Sequence, residues 1–233
     1  MPVSDPADSF VSVASVHFNP RAALEHCMDV ALLTVGDELL AGDTENTNAT
    51  WLCRQLAARG ASVRRVLVVP DELDAIAAQV REWRAAYDAV IVTGGLGGTH
   101  DDVTMDGVAA AFDRPLVEHP DAAAWFAEHG DYSFSELTTG TAHLPEGARM
   151  LPNEVGVAPG AVVENCYVLP GVPAEMESMF GRVAGEFDGE REHVEVVLAD
   201  EPESALLDRI DAVRERFDVA VGSYPGDGVR LKL

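Results

Sequence analysis

Short apolar runs alternate with amphipathic segments through the first half of the chain. Residues 29–35 are almost continuously apolar and end before Gly36, which is typical of a strand buried on both faces of a parallel sheet. After a loop over residues 36–45, apolar residues recur at helical spacing and Gly60 supplies a stop. Strand and helix continue to alternate, so we predict a three-layer α/β fold with a mainly parallel sheet and helices on both faces. The predicted strands are residues 29–35, 63–69 and 89–92, and the predicted helices are residues 47–59, 71–86 and 103–112.

The second half of the chain is less regular. Residues 115–147 are predicted to be helical at 121–128 and rich in loops elsewhere, while residues 161–169 are predicted to form one strand. A helix over residues 173–180 begins with proline, as first turns favour. From residue 190 the pattern restarts and predicts a small α+β subdomain with strands at 194–198, 219–223 and 229–233 and a helix at 204–217. The predicted organisation is a disordered extension over residues 1–27, a main domain over 28–185 and the small subdomain over 190–233.

The net charge of the chain favours a salt-rich environment and argues against nucleic acid as a partner. The net charge is −24, and Lys232 is the single lysine. Such a charge repels itself in dilute buffer and is screened in concentrated salt, so we infer a halophilic source, in keeping with an archaeon. The acidic residues are spread over every segment, which argues against an acidic tail or a nucleic-acid mimic. Binding to a nucleic-acid backbone needs clustered lysine and arginine, and we do not expect it.

Hydropathy and cysteine content argue against a membrane or secreted protein and against a zinc or thiol redox protein. No uninterrupted apolar run reaches the roughly 18–20 residues of a membrane span, and the first residues lack the apolar core of a signal peptide. We therefore expect a soluble, cytoplasmic protein with no membrane partner. Cys27, Cys53 and Cys166 are widely spaced and form no C-x-x-C pair, so the sequence predicts neither a zinc site nor thiol redox chemistry.

Polar loops follow three of the predicted strands. Ligands of open parallel sheets bind beyond the carboxyl ends of the strands, so we expect these loops to converge on one side of the sheet. Acidic residues recur in them, with Asp71 and Glu72 in the second loop and His100, Asp101 and Asp102 after the third. The candidate ligand-binding residues of the loops are Gly36, Asp37, Glu38, Asn46, Asn48, Thr93, Gly94, Gly95, Leu96, Gly97, Gly98, Thr99 and Thr104.

The glycine-rich loop over residues 93–99 is the most specific of these signals. Glycines let successive backbone N–H groups surround an anion, and the helix that follows offers its positive end to the same place. A phosphate or the edge of a pterin is the expected ligand. The loop is not a P-loop, because no Gly-Lys-Ser/Thr follows, and His100 stands where a dinucleotide-binding loop has its last glycine. An ordinary tight connection between a strand and a helix remains the alternative.

The carboxylates also have an alternative role as helix caps. Asp101 and Asp102 precede one predicted helix, Asp71 begins another, and Asn46 or Thr47 can start a third. The expected convergence of the loops favours the functional interpretation. His100 is the one histidine in these loops and a candidate general base, although its acidic neighbours give no clear catalytic pairing.

Four motifs stand in order along the chain: Asp37 to Gly42 with Asn46-Thr47-Asn48; Thr93 to Gly97 with Thr99, Asp101, Asp102 and Thr104; Leu169-Pro170-Gly171-Val172-Pro173 with Glu175-Met176; and Val221 to Pro225. The first three resemble the amino-terminal half of the CinA (competence/damage-inducible) family, whose domain is of the molybdopterin-binding, MoaB/Mog-like type, and the fourth resembles the small domain that follows in the family. The third motif adds Pro170 and Gly171 to the candidate ligand-binding residues. The family loop often has proline where Gly98 stands, and the carboxy-terminal deamidase domain is not seen, so we expect no amidase activity.

The resemblance implies an ADP-ribose pyrophosphatase activity that needs a divalent metal, with potassium as an optional second ion, in a homo-oligomer. It also implies that Asp71 and Asp102 lie at the site and matter for its chemistry, and we add Asp101 as a third catalytic candidate. Bare acidic loops repel phosphate, so Mg²⁺ or a similar ion held by Asp37 and Asp102 is expected to mediate binding. The first motif and the Leu-Pro-Gly-Val-Pro segment favour hydrolysis of a phosphoanhydride. The alternatives are a molybdopterin-binding protein of molybdenum-cofactor biosynthesis, by adenylyl transfer or pterin binding, and a non-catalytic nucleotide-binding scaffold.

Overall fold

The computed structural model describes residues 27–97, 102–129, 141–189, 195–217, 219–226 and 228–233. A six-stranded sheet forms the centre of the large unit, and a three-stranded sheet belongs to the small carboxy-terminal unit. The strands are β1 (Asp29–Val35), β2 (Ser62–Val69), β3 (Ala89–Gly94), β4 (Leu116–Glu118), β5 (His143–Pro145), β6 (Arg149–Leu151), β7 (Gly160–Val163), β8 (Cys166–Pro170), β9 (Val196–Ala199), β10 (Gly222–Gly226) and β11 (Gly228–Lys232). The helices are α1 (Asp37–Ala41), α2 (Thr47–Ala57), α3 (Leu73–Ala86), α4 (Thr104–Ala111), α5 (Pro120–His129), α6 (Pro173–Val183) and α7 (Glu203–Phe217), with a 3-10 helix at Ala184–Phe187.

The large sheet has the order β2-β1-β3-β8-β7-β6. Strands β2, β1, β3 and β8 are parallel to one another, whereas β7 runs antiparallel to β8 and β6 antiparallel to β7. Every residue of β3 and β8 is buried, which explains why the apolar runs of these strands show no alternation.

Helices cover both faces of this sheet. Successive residues of β1 point to opposite faces, so Leu33 packs with α3 and α4 whereas Leu32 packs with α2 and α6. The first face is filled by Ile76 and Val108, and the second by Phe180. The predicted three-layer α/β fold is therefore confirmed.

The small unit is an antiparallel sheet in the order β10-β11-β9 beside α7. The backbone groups of Glu195 and Leu233 exchange two hydrogen bonds of 2.9 Å, which tie its first described residue to its last. Leu206 and Val229 are the buried apolar residues among those described from 195 onwards. The prediction of a small additional α+β region is confirmed.

The predicted strand over residues 161–169 is wrong as a single element. A turn at Glu164 and Asn165 divides it into β7 and β8, and Glu164 adopts a left-handed φ of 53°. The Asn165 side chain donates hydrogen bonds of 3.0 Å to the carbonyls of Arg84 and Tyr87 at the end of α3. Apolar residues on both sides of this polar pair concealed the turn in the sequence.

Other boundaries also differ from the sequence prediction. The loop expected over residues 36–45 contains α1, and the helix expected from residue 71 begins at Leu73. Within the stretch 115–147, β4 and β5 form an antiparallel pair that was expected to be loop. The strands expected at 194–198 and 219–223 are Val196–Ala199 and Gly222–Gly226. These strands are short, and their register depends on pairing rather than on local pattern.

The predicted disordered extension covers residues 1–26, which lie outside the described residues, and Cys27. The Cys27 thiol donates a hydrogen bond of 3.0 Å to the carbonyl of Gly60, so Cys27 belongs with the fold. Within the described ranges, no helix is long and apolar enough to cross a membrane.

Candidate functional site

The carboxyl edge of the sheet brings the predicted loops together. Strands β2, β1 and β3 are neighbours and parallel, so the loops that follow them leave the sheet at one edge. Strand β8, parallel to β3, adds Pro170 and Gly171 at this edge. A Cβ atom added to Gly171 would lie 3.4 Å from the carbonyl oxygen of Gly94, so the loops after β3 and β8 are in contact.

Asp71 connects the first two loops. Its carboxylate accepts a hydrogen bond of 2.9 Å from the backbone N–H of Asp37, the first residue of α1. The residue flanking α3 is Glu72, whose side chain makes no capping hydrogen bond. Asp71 therefore precedes the N-cap position of α3 by one residue, and its carboxylate fixes the start of the neighbouring loop.

Asp102 lies against the glycine-rich loop. A Cβ atom added to Gly97 would lie 2.6 Å from Asp102 Oδ2, and one added to Gly95 would overlap Asp102 Oδ1. The N-cap position of α4 belongs to Val103, so Asp102 precedes the cap position by one residue. The loop needs glycines here because the half-buried carboxylate occupies the space that their side chains would fill. Gly98, Thr99, His100 and Asp101 lie outside the described residues, and the predictions for them stay predictions.

Thr104 lies against Gly94 at the end of β3. Thr104 is fully buried, and its hydroxyl lies where a side chain at Gly94 would be. Its Oγ1 atom has no hydrogen-bond partner among the described residues. The neighbouring Thr93 is also buried, and the half-buried Leu96 packs on the core. A buried hydroxyl without a partner carries a desolvation cost that a ligand hydrogen bond can offset.

Asn46 and Asn48 serve different purposes. Asn46 caps α2, because its Oδ1 accepts a hydrogen bond of 3.1 Å from the N–H of Ala49, and its amide donates to Thr34 Oγ1. The capping interpretation of Asn46 is confirmed. Asn48 is 8% exposed, and its amide donates a hydrogen bond of 2.7 Å to the carbonyl of Gly171. Its Oδ1 atom has no hydrogen-bond partner among the described residues.

The sequence did not indicate the hydrogen-bonded pair of Asn153 and Glu175 at this edge. Asn153, 3% exposed, donates a hydrogen bond of 2.6 Å to Glu175 Oε2 and accepts from the N–H groups of Val155 and Gly156. The loop that it organises precedes β7, which runs antiparallel to β8, so the loop reaches the carboxyl edge beside Gly171. Glu175 stands in the third motif, but nothing in the local sequence indicates that Asn153 is buried.

The remaining acidic candidates are exposed. Asp37 and Glu38 belong to the five-residue helix α1, and a Cβ atom added to Gly36 would lie 2.6 Å from Glu38 Oε1.

Within the described ranges, no three histidine, cysteine or acidic side chains form a group that could hold a metal ion. Mg²⁺ is commonly held by one or two carboxylates together with substrate phosphates and water. The described residues therefore do not form a complete protein cage for a metal ion, and the binding of Mg²⁺ by Asp37 and Asp102 stays a prediction.

Comparison with known proteins gives a consistent result. A family model described as a probable molybdopterin binding domain matches residues 31–187. A protein from Archaeoglobus fulgidus is 40% identical over 202 residues, which cover 86% of this chain and 87% of that protein. A CinA-like protein from Citrifermentans bemidjiense is 37% identical over 79% of this chain, which spans 47% of that relative. The crystal structure of a CinA protein of unknown function from Thermoplasma acidophilum is 36% identical, with a TM-score of 0.63, over 69% of this chain and 98% of that chain.

Proposed function

This chain belongs to the family of probable molybdopterin binding domains and is CinA-like within it, and on that premise we propose that its carboxyl-edge site hydrolyses a phosphoanhydride such as that of ADP-ribose. The observation that carries the proposal is the carboxylate of Asp102, held against Gly95 and Gly97 at the end of β3. A carboxylate in this position can accept a proton from water, and the neighbouring backbone N–H groups can bind phosphate oxygens.

Each residue of the site has a distinct part in the proposed reaction. The amides of the glycine-rich loop bind the phosphates, and Asp102 orients the attacking water and accepts its proton. The water oxygen bonds to one phosphorus atom, the bridging P–O bond breaks, and the other phosphate leaves as a phosphomonoester. Asn48 Oδ1 and Thr104 Oγ1 contribute hydrogen bonds to the ligand, because both atoms are buried without a partner among the described residues. Asp71 positions the first loop through the N–H of Asp37. A divalent ion, Mg²⁺ or similar, would neutralise the phosphate charge if bound, with potassium as an optional second ion.

A second candidate function is binding of molybdopterin for cofactor biosynthesis. The description of the matching family model favours this function. The same loop amides suit the phosphate of a pterin, and the unpaired atoms Asn48 Oδ1 and Thr104 Oγ1 suit its polar edge. In this case Asp102 positions the loop without accepting a proton. Under both functions the protein is expected to act on a small ligand as a homo-oligomer.

The decisive experiment compares Asp102→Asn and Asp102→Ala with the wild type. Turnover of ADP-ribose with Mg²⁺, binding of molybdopterin and the melting temperature are measured in one high-salt buffer. Asparagine keeps the shape of aspartate but can neither accept the proton nor carry the charge, so turnover is expected to fall roughly a hundredfold or more at an unchanged melting temperature. Asp106→Asn is the matched control, since Asp106 is exposed in the first turn of the following helix.

The outcomes separate the candidate functions. If Asp102→Asn turns over ADP-ribose like the wild type, Asp102 is not the proton acceptor and the hydrolytic mechanism fails. If the wild type shows no turnover but binds molybdopterin, and Asp102→Asn retains that binding, the second function is supported. If neither ligand interacts with the wild type, both functions are wrong.

The glycine requirement gives an independent test. Gly95→Ala would push the new methyl group into Asp102, and ligand affinity is expected to fall at least tenfold as the carboxylate and the loop separate. Gly181→Ala is the matched control, because an added Cβ atom meets nothing within 4 Å in α6. Equal ligand affinities of the two variants would show that the contact of Asp102 with the loop has no role in binding.

A further inference from the structure

A cleft lies at the amino-terminal end of β2, whereas the candidate site lies at the carboxyl end of this strand. Its volume is about 530 Å³, and it is lined by Cys53 and Ala57 of α2, by residues 60–66 and by Cys27 and Lys232. It therefore lies between the outer strand of the large sheet and the last strand of the small unit. Its size falls in the range of pockets that hold small organic ligands.

The charge of this cleft is opposite to that of the whole chain. Its charged lining residues are Arg64, Arg65 and Lys232, and no carboxylate is among the described residues that line it. Acidic residues outnumber basic ones in the chain by 40 to 16, and the single lysine is one of the three cations. Clustered cations in a cleft with low-dielectric walls raise the local concentration of anions.

One of these cations is offset by a neighbour. Arg64 Nε lies 2.7 Å from Asp29 Oδ1, so this pair contributes little net charge to the cleft. Arg65 and Lys232 are exposed, and the Arg65 guanidinium donates a hydrogen bond of 3.0 Å to the carbonyl of Arg64, which holds its stem along the strand. Arg65 of the large unit and Lys232 of the small unit are therefore both among the residues that line this cleft.

The remaining lining suits an organic anion. Among the described strands β2 pairs with β1 alone, so alternate N–H groups of β2 point outward and can donate to an anion. Ser62 offers a hydroxyl, and Val63, Val66, Ala57 and Ala61 give apolar walls. A guanidinium, an ammonium, a hydroxyl and backbone amides are the groups that bind phosphate in proteins.

We propose that this cleft binds a small phosphate-bearing organic anion between Arg65 and Lys232. The site is independent of the proposed hydrolysis, since it shares no residue with the carboxyl edge. A ligand held there links the large unit to the small one, because each unit supplies one of the two cations. The phosphate group supplies the charge complement, and the apolar walls contact the organic part.

The cysteines allow a direct test. Cys27 and Cys53 line the cleft and are half-buried, whereas Cys166 is fully buried in β8. The protein is alkylated with iodoacetamide, an uncharged reagent, at constant ionic strength, with and without pyrophosphate or adenosine monophosphate. Peptide mass spectrometry then gives the alkylation rate of each cysteine. A probe at about ten times its Kd is expected to slow alkylation of Cys27 and Cys53 roughly tenfold. Adenosine monophosphate is expected to protect at lower concentration than pyrophosphate because it also contacts the walls.

The variants Arg65→Gln and Lys232→Gln separate this site from general salt effects. Each is expected to weaken protection by both probes, and Arg209→Gln, an exposed arginine of α7, is the matched control with unchanged protection. Asp102→Asn is expected to retain protection whether or not it loses turnover, which keeps this test apart from that of the proposed function. Equal alkylation rates with and without the probes in the wild type would overturn the proposal. Full protection in both Arg65→Gln and Lys232→Gln would overturn it as well.

Discussion

The large and small units of this protein are held together in different ways. In the large unit whole strands are inaccessible to solvent, and helices seal both faces of the sheet. In the described part of the small unit Leu206 and Val229 are buried, while Leu198 is 79% exposed. This difference indicates that apolar packing specifies the large unit, whereas strand pairing contributes relatively more to the small one.

Removing one aromatic side chain from each unit gives the largest expected contrast. Phe180 is fully buried, and its ring centroid lies 5.5 Å from those of Trp51 and Phe187. Phe180→Ala is expected to lower the free energy of unfolding by about 3–5 kcal/mol, because it leaves a cavity among these rings. Phe217→Ala, at an exposed residue of α7, is expected to change it by less than about 0.5 kcal/mol. Urea unfolding measures both values, and equal losses would remove the basis of the comparison.

Adding a methyl group tests the close packing of the large unit from the opposite direction. A Cβ atom added to Gly107 in α4 would lie 2.6 Å from Cβ and Cγ2 of Ile76 in α3. Gly107→Ala is expected to destabilise the protein by about 1–3 kcal/mol, although alanine favours helices. Gly181→Ala, which meets nothing within 4 Å, is expected to be neutral or stabilising in the same unfolding experiment. A stabilised Gly107→Ala variant would show that α3 and α4 are less closely packed than described.

Alkaline pH should act on the large unit through β8. Burial raises the pKa of the Cys166 thiol to about 12, and burial together with the hydrogen bond to Glu186 raises the pKa of Tyr167 to about 12. In the unfolded chain the thiol has its ordinary pKa of 9.0 and the phenol its ordinary pKa of 10.0, so both groups ionise at a lower pH there than in the folded protein. The free energy of unfolding is therefore unaffected below pH 9 and decreases as the pH rises towards 12.

The expected loss between pH 8 and pH 10 is about 1–2 kcal/mol, measured as a shift of the urea midpoint. Tyr167→Phe is expected to flatten part of this dependence, whereas Tyr224→Phe at an exposed residue of β10 is the control. A pH dependence that is the same in the wild type and in Tyr167→Phe would exclude the phenol as a contributor.

Salt gives the smallest expected effect and acts on both units. Added ions screen the repulsion within a chain of charge −24, so the melting temperature is expected to rise between millimolar and molar KCl. A gain of about 1 kcal/mol corresponds to roughly 2–4 °C for a chain of this size. A melting temperature that stays constant or falls over this range, recorded by circular dichroism, would leave the inferred halophilic source without support.

The sequence was most informative where one local pattern determines the structure. The apolar runs of β1 and β3 and the order of elements predicted the parallel sheet, and with it the meeting of the loops at one edge. Helix α1 was missed because five residues are too short to show a helical period. The roles of Asp71 and Asn153 depend on partners far along the chain, Asp37 and Glu175, so no local pattern could indicate them.

The position of β8 in the sheet has a consequence for synthesis. This strand lies next to β3, and Val90 pairs with Cys166, so their contact closes a loop of about 75 residues. A ribosome that adds about 5–20 residues per second leaves the apolar edge of β3 unpaired for several seconds after β3 has emerged. During that interval the nascent chain presents the kind of open strand edge that aggregates, and we expect its yield in cells to depend on chaperones that bind extended apolar segments.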